Sequence, residues 1–267
     1  MDFLQSTWAL PAAGICVGCL MGFFARRHHF CTLSALERYW FASDSNGMRS
    51  WVLAAAFALA TTQLLVIVGV ADVSKSFYLT EPMPVAGAIL GGLLFGIGMA
   101  LVGTCGFGAI VRLGGGNLRA LVVLTGIGLA AVAAQRGITG HFRKAVLDPL
   151  SFTFPGTSGQ SLAAPLNAIT GIDLTALLGL FVAAIMFWWV FRDPRFRLDK
   201  GKIIAGLAIG LSIAVGWLIT SHYAAVLFQP VQVEAGSFVM PVGDTIMQII
   251  TVTGDIPDYG VGLVVGV

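Results

Sequence analysis

Four cysteines carry the most reactive side chains in this sequence of 267 residues. Cys16 and Cys19 form a C-x-x-C, a spacing that in some membrane enzymes exchanges disulfides with a quinone. Redox pairs work best at an exposed helix N-terminus. This pair instead lies midway along an apolar run, one helical turn apart, facing neighbouring helices. Cys31 and Cys105 stand alone, and a single thiol in an apolar chain is ordinarily inert packing. No zinc-ligand, phosphate-loop or catalytic-triad spacing occurs. The expectation is therefore no cofactor, no metal, no covalent catalysis and no intrinsic ATP-driven pump: not an enzyme.

What lifts Cys31 and Cys105 above packing is repetition. A shift of 74 residues places Gly18, Leu20, Gly22, Cys31, Ala35 and Arg38 on Gly92, Leu94, Gly96, Cys105, Ala109 and Arg112. The shared pattern is G-x3-G, eight residues, then C-x3-A-x2-R. After a four-residue gap, Asn46–Arg49 matches Gly116–Arg119. Each unit reads as a spanning helix, a short helix led by cysteine, a basic loop and a second spanning helix. The units cover about 10–72 and 84–136, with a weaker one at 202–255 opening on Gly206-x3-Gly210. A fourth begins at 259–267 with Gly262-x3-Gly266 and stops at once, which reads as a chain lacking its final unit. Internal repeats of this kind place a transport site at their interface.

The elements that hold these residues are membrane helices. Hydrophobic residues make up 57% of the chain, charged residues 10%, and mean hydropathy is +0.89. Phe3–Ala25, Ser50–Ala71, Pro82–Val111, Ala120–Gln135, Leu174–Phe191 and Ile203–Val233 contain no Asp, Glu, Lys or Arg. A bilayer core of about 30 Å needs roughly 20 apolar residues as helix, so most of these runs span. The 34 glycines suit close helix packing, and no alternation marks β-barrel strands. Asp2 and the absence of Lys or Arg before the first run argue against a signal peptide. The net charge of +2 resides in loops and implies no nucleic-acid partner.

Those loop charges set an orientation. Arg26, Arg27, Arg38, Arg49, Arg112, Arg119, Arg192, Arg195, Arg197, Lys200 and Lys202 fall on one side. Lys75, Arg136, Arg143 and Lys144 fall on the other. The bias of eleven against four places the N-terminus outside. The Pro/Thr/Ser/Gly-rich segment Arg136–Thr170 then faces the exterior as irregular backbone.

Three segments are too short or too broken to cross. Pro82–Val111 divides near Gly103–Gly108 into a spanning helix to about Val102 and a short second helix. Phe30–Ala42 is another short helix. Ser237–Thr253 is broken by Pro241 and Gly243 and carries Asp244. Irregular backbone at membrane depth survives only beside protein or a water-filled cavity, so these segments suggest a permeation path. The expected fold is an all-α integral membrane protein, with internal repeats of spanning helices and short re-entrant half-helices lining a central path. A thiol at the N-terminus of a half-helix joins a weak S–H donor to unpaired N–H groups and a partial positive charge, which suits an anion.

Gly18-x3-Gly22…Phe-Cys31-Thr-Leu-Ser-Ala and Gly92-x3-Gly96…Gly-Thr-Cys105-Gly-Phe-Gly…Arg-Leu-Gly-Gly-Gly-Asn117 resemble the YeeE/YedE family of sulfur-compound transporters. Phe238-Val-Met-Pro-Val-Gly-Asp244 is similar to that family as well. The resemblance covers nearly the whole chain, although family members usually run longer at the C-terminus. It implies an hourglass-shaped monomer in a bacterial inner membrane that takes up thiosulfate. It also implies a central line of cysteines passing the anion along, beside a small cytosolic sulfurtransferase of the TusA type. Cys31 and Cys105 match two family cysteines, and a further one lies in a C-terminal unit this sequence does not contain. The alternatives are a membrane thiol-disulfide oxidoreductase and a transporter of another sulfur or selenium anion.

The remaining candidates admit two readings each. Arg38 and Arg112 either end their half-helices at the cytosolic interface or help the anion leave. Glu37 pairs with a nearby arginine. Asn117 either caps the next helix or contacts substrate. His28, His29 and His222 read as loop or span-end residues. Trp8, Tyr39, Trp40, Trp51, Trp188 and Trp189 read as interfacial anchors, and Gly18, Gly22, Gly92 and Gly96 as close-packing positions.

Overall fold

The computed structural model describes residues 8–74, 76–79, 84–151, 163–164, 167, 174–226, 231–251 and 257–267. Lys75, Thr253 and much of the far half of the Arg136–Thr170 segment lie outside these. The described chain is helical: α1 (Ala9–Arg27), α2 (Thr32–Phe41), α3 (Asn46–Ile67), α4 (Val85–Val102), α5 (Gly106–Gly114) and α6 (Arg119–Arg136). There follow α7 (Ile138–Phe142), α8 (Thr175–Phe191), α9 (Pro194–Leu198), α10 (Lys200–Val226), α11 (Val239–Thr251) and α12 (Tyr259–Gly266). Among the described residues, five helical stretches are long and apolar enough to cross a membrane, and α8 is a shorter apolar helix. Large apolar side chains such as Phe23, Leu93, Leu101, Val122 and Phe181 stay exposed on the outside of the bundle. That is the distribution a lipid solvent selects and water rejects. The protein is an all-α, multi-pass membrane protein.

Local sequence explains where the helices stop. Gly103 adopts φ +74°, a left-handed turn that ends α4 and that a side chain resists. Cys105 then caps α5, its sulfur accepting the Gly108 N–H at 3.3 Å. Asp193 caps α9 by accepting the Arg195 N–H, with Pro194 at the first helical position. Asp258 caps α12 by accepting the Val261 N–H. Pro241 does not break its segment as the sequence suggested. It sits in the first turn of α11, where no intrahelical N–H is needed, and the helix runs on to Thr251. The loop after α6 likewise begins as α7, followed by a π-turn at Arg143–Leu147 and a 3-10 turn at Asp148–Leu150.

Glycines fix the two closest helix contacts. A methyl placed on Gly14, Gly18 or Gly22 of α1 would strike the backbone of Tyr259 or Leu263 on α12, or of Val267 just after it. Gly206 and Gly210 of α10 lie equally hard against Ser50 and Ala54 of α3. In both pairs the residue numbers rise together, so the partners run parallel. Parallel α3 and α10 require an odd number of crossings between them, which α4 with α5, α6 and α8 supply. Parallel α1 and α12 require α11 to return to the side that α10 reached. At 13 residues α11 extends about 20 Å, too short to cross.

Gly92 and Gly96 differ from their counterparts: neither meets anything within 4 Å. Helix α4 lies on an outer face with none of its residues buried, so its small-residue stripe packs against nothing in the described chain.

Candidate anion path

Two short helices meet at their N-termini. Cys31 is the N-cap of α2 and Cys105 the N-cap of α5, both with extended backbone. Their sulfurs converge over one residue. A methyl on Gly108 would stand 3.5 Å from the Cys105 sulfur and 3.9 Å from the Cys31 sulfur. Only a residue without a side chain leaves this gap open, because the same methyl would also lie 2.6 Å from the Thr104 hydroxyl. Thr32, the first residue of α2, links the pair: its hydroxyl oxygen lies 4.0 Å from the Cys105 sulfur. The Trp51 indole N–H donates to that same oxygen at 2.9 Å. Cys105 is buried and Cys31 half-buried, and all four cysteines are free thiols.

A cavity opens on each side of this junction. One, of about 450 Å³, is apolar, walled by Met21, Phe95, Cys105, Ile213 and Phe238 among others. The other, of about 300 Å³, holds Cys31 with Arg27, His28, His29, Arg38 and Lys202. Phe30 and Trp51 border both. Phe107 and Phe238, both lining the apolar cavity, pack ring to ring at 4.6 Å. An anion between the thiols would face the N–H ends of two helices, a fixed positive field that needs no mobile cation. On one side it would find apolar walls, and on the other a cluster of cationic side chains.

The cationic cavity is built by long-range contacts. Lys202 donates from Nζ to the His28 carbonyl at 3.0 Å, tying the start of α10 to the end of α1. Arg38 pairs with Asp44 at 3.8 Å and is mostly exposed. The histidines therefore belong to a cavity wall rather than to a plain solvated loop. Arg49 anchors the floor of the bundle. It pairs with Asp193 at 3.5 Å, donates to the Val190 and Trp189 carbonyls at the end of α8, and covers the Trp189 ring.

Of the sequence-derived site residues, Cys31, Cys105 and Arg38 come together around this junction. Arg112 and Asn117 line neither cavity. Arg112 donates to the Gly103 carbonyl at 3.0 Å, and Asn117 accepts the Arg119 N–H at 3.1 Å, a local turn at the entrance to α6. Glu37, Arg38 and Arg112 are exposed rather than sunk in the bundle. Cys16 and Cys19 are exposed too, on the outer face of α1 and not against neighbouring helices, which places them apart from the junction. Trp51, Thr32, Lys202, Phe238 and Gly108 are not site candidates in the sequence reading. Trp51 looked like any interfacial tryptophan, and only the proximity of α2 and α3 gives it a role.

A bundle of spanning helices enclosing paired short helices, with cavities meeting at their N-termini, defines a multi-pass membrane protein with an internal site. Residues 27–267 match the sulphur transport family, and the chain belongs to that family. It is 25% identical over 223 residues to the thiosulfate transporter TsuA of Spirochaeta thermophila, a match covering 79% of this chain and 64% of that protein. The chain thus spans less than two thirds of that relative's length.

Proposed function

We propose that this protein takes up thiosulfate across a bacterial inner membrane, with its N-terminus outside, and that the anion passes between the thiols of Cys105 and Cys31. The observation that carries this reading is the convergence of two cysteine-led helix N-termini between an apolar and a cationic cavity. The name of the relative supports the substrate, and the bias of basic residues supports the orientation.

The path then reads from the exterior. The anion enters the apolar cavity and sheds water against Met21 and Phe238. Helix N-termini offset that loss, and the thiols donate weak hydrogen bonds to its terminal sulfur or oxygens. Weak contacts in series let an ion leave as readily as it binds, which a buried lysine at this point would prevent. Arg38, Lys202 and Arg27 attract it toward the cytosol. The thiols stay intact throughout, so the protein acts as a transporter and not as an enzyme. A small cytosolic sulfurtransferase of the TusA type is the partner that would consume the anion at the exit.

The test is growth of a bacterium lacking thiosulfate uptake, with thiosulfate as sole sulfur source. Expression of this protein restores growth if the reading holds. No growth despite verified membrane insertion refutes thiosulfate as the substrate.

A further inference from the structure

Glu234 is a carboxylate that the path described above does not use. It lies in the segment 231–238 that leads into α11, and only 4% of its surface is exposed. Its backbone is pinned: the Thr220 hydroxyl donates to the Glu234 carbonyl at 2.7 Å, and the Ser76 hydroxyl to the Val233 carbonyl at 3.0 Å. Its side chain lies against Gly260, where a methyl would stand 2.6 Å from a carboxylate oxygen, and it accepts the Gly260 N–H. Among the described residues no Lys, Arg or His forms an ion pair with it.

Among the described residues, the groups that face it are acidic or neutral. They are Asp258 before α12, Asp244 on α11, Tyr259 on α12 and Tyr78 in the 3-10 turn Phe77–Leu79. Arg136 acts on Asp244 and not on Glu234. Burial, and then the charges of Asp258 and Asp244, push the Glu234 carboxyl up to about 7 against the pull of the Gly260 N–H. Two residues further on, Gly236 lines the apolar cavity that holds Cys105. A dianion in that cavity adds negative charge near a buried carboxylate that has no cationic partner among the described residues.

We infer that Glu234 is a proton-binding site at the exterior end of the anion path, and that proton and anion bind together so that uptake is proton-linked. The inference rests on the transport reading given above. The proton comes from bulk water, converts the carboxylate to a carboxyl, and leaves when the anion has moved on. No bond in the anion forms or breaks. Linkage is reciprocal: an anion that raises the proton affinity of Glu234 is itself held more tightly when Glu234 is protonated. The sign follows from charge. A proton removes repulsion, so anion uptake rises as external pH falls through about 7.

The experiment is uptake of radiolabelled thiosulfate by the full chain in liposomes, over a series of external pH values at fixed membrane potential. The parent protein gains about tenfold between one unit above and one unit below the midpoint. Glu234→Gln, whatever its absolute rate, shows no such rise. Glu234→Asp keeps the rise and moves its midpoint, which settles the matter if the glutamine variant fails to reach the membrane. A parent-like pH profile in Glu234→Gln, or an unmoved midpoint in Glu234→Asp, overturns the inference. Uptake by the parent with a flat profile overturns it alone. Absence of thiosulfate uptake at every pH overturns the substrate reading and the inference with it.

Discussion

Cys31 and Cys105 belong to helices 74 residues apart in the chain, yet both sulfurs come within 4 Å of the space a methyl group on Gly108 would fill. This gap lies where the apolar cavity that holds Cys105 meets the cationic cavity that holds Cys31. The lack of a side chain on Gly108 leaves it open, and two helix N-termini set its polarity.

Filling that gap tests whether it is used. Gly108→Ala introduces a methyl 2.6 Å from the Thr104 hydroxyl and between the thiols. Overpacking of this kind also disturbs local structure. The expected outcome is a fall in thiosulfate uptake of roughly tenfold or more, because close multi-site contacts govern passage. Thermal stability in detergent separates the two effects, and uptake should drop even where the protein remains folded.

Trp51 holds Thr32, and through it the geometry of the junction. Trp51→Phe keeps the ring that borders both cavities and removes the N–H donated at 2.9 Å. The loss of one hydrogen bond of about 1 kcal/mol predicts a roughly fivefold fall in uptake. A plain interfacial anchor would tolerate the change, so uptake at the parent rate would return Trp51 to that role.

The two G-x3-G motifs give opposite expectations. Gly18→Ala drives a methyl into the Leu263 backbone and lowers stability by roughly 1–3 kcal/mol, and Gly92→Ala, facing open space, changes it by less than about 1 kcal/mol. Thermal unfolding of the two variants in the same detergent checks the difference.

These contrasts show what the sequence made legible. Charge-free runs located the spans because lipid forbids charge, and the glycine-rich stretch Gly103–Gly108 marked the break between α4 and α5 because a left-handed glycine ends a helix. The repeat put Cys31 and Cys105 at matching positions, and the fold brings both sulfurs close to Gly108. The walls did not. Lys202 stands among loop arginines in the sequence and reaches the His28 carbonyl only through the packing of α10 beside α1. Glu234 follows a charge-free run and carries no periodic signal, so only the fold shows it buried. Gly92 matched Gly18 as a motif, but what a glycine packs against depends on a partner helix, and local sequence does not encode that.

The central claim is that the anion passes between the two junction thiols. Its most direct test is the initial rate of labelled thiosulfate uptake by Cys31→Ala and Cys105→Ala, each verified as folded and membrane-inserted, beside a Cys16→Ser/Cys19→Ser double variant. Each alanine should cut the rate by about tenfold or more, while the double serine stays within about twofold of the parent, since its positions lie on the outer face of α1. Parent-like rates in both alanine variants would contradict the account and return Cys31 and Cys105 to packing.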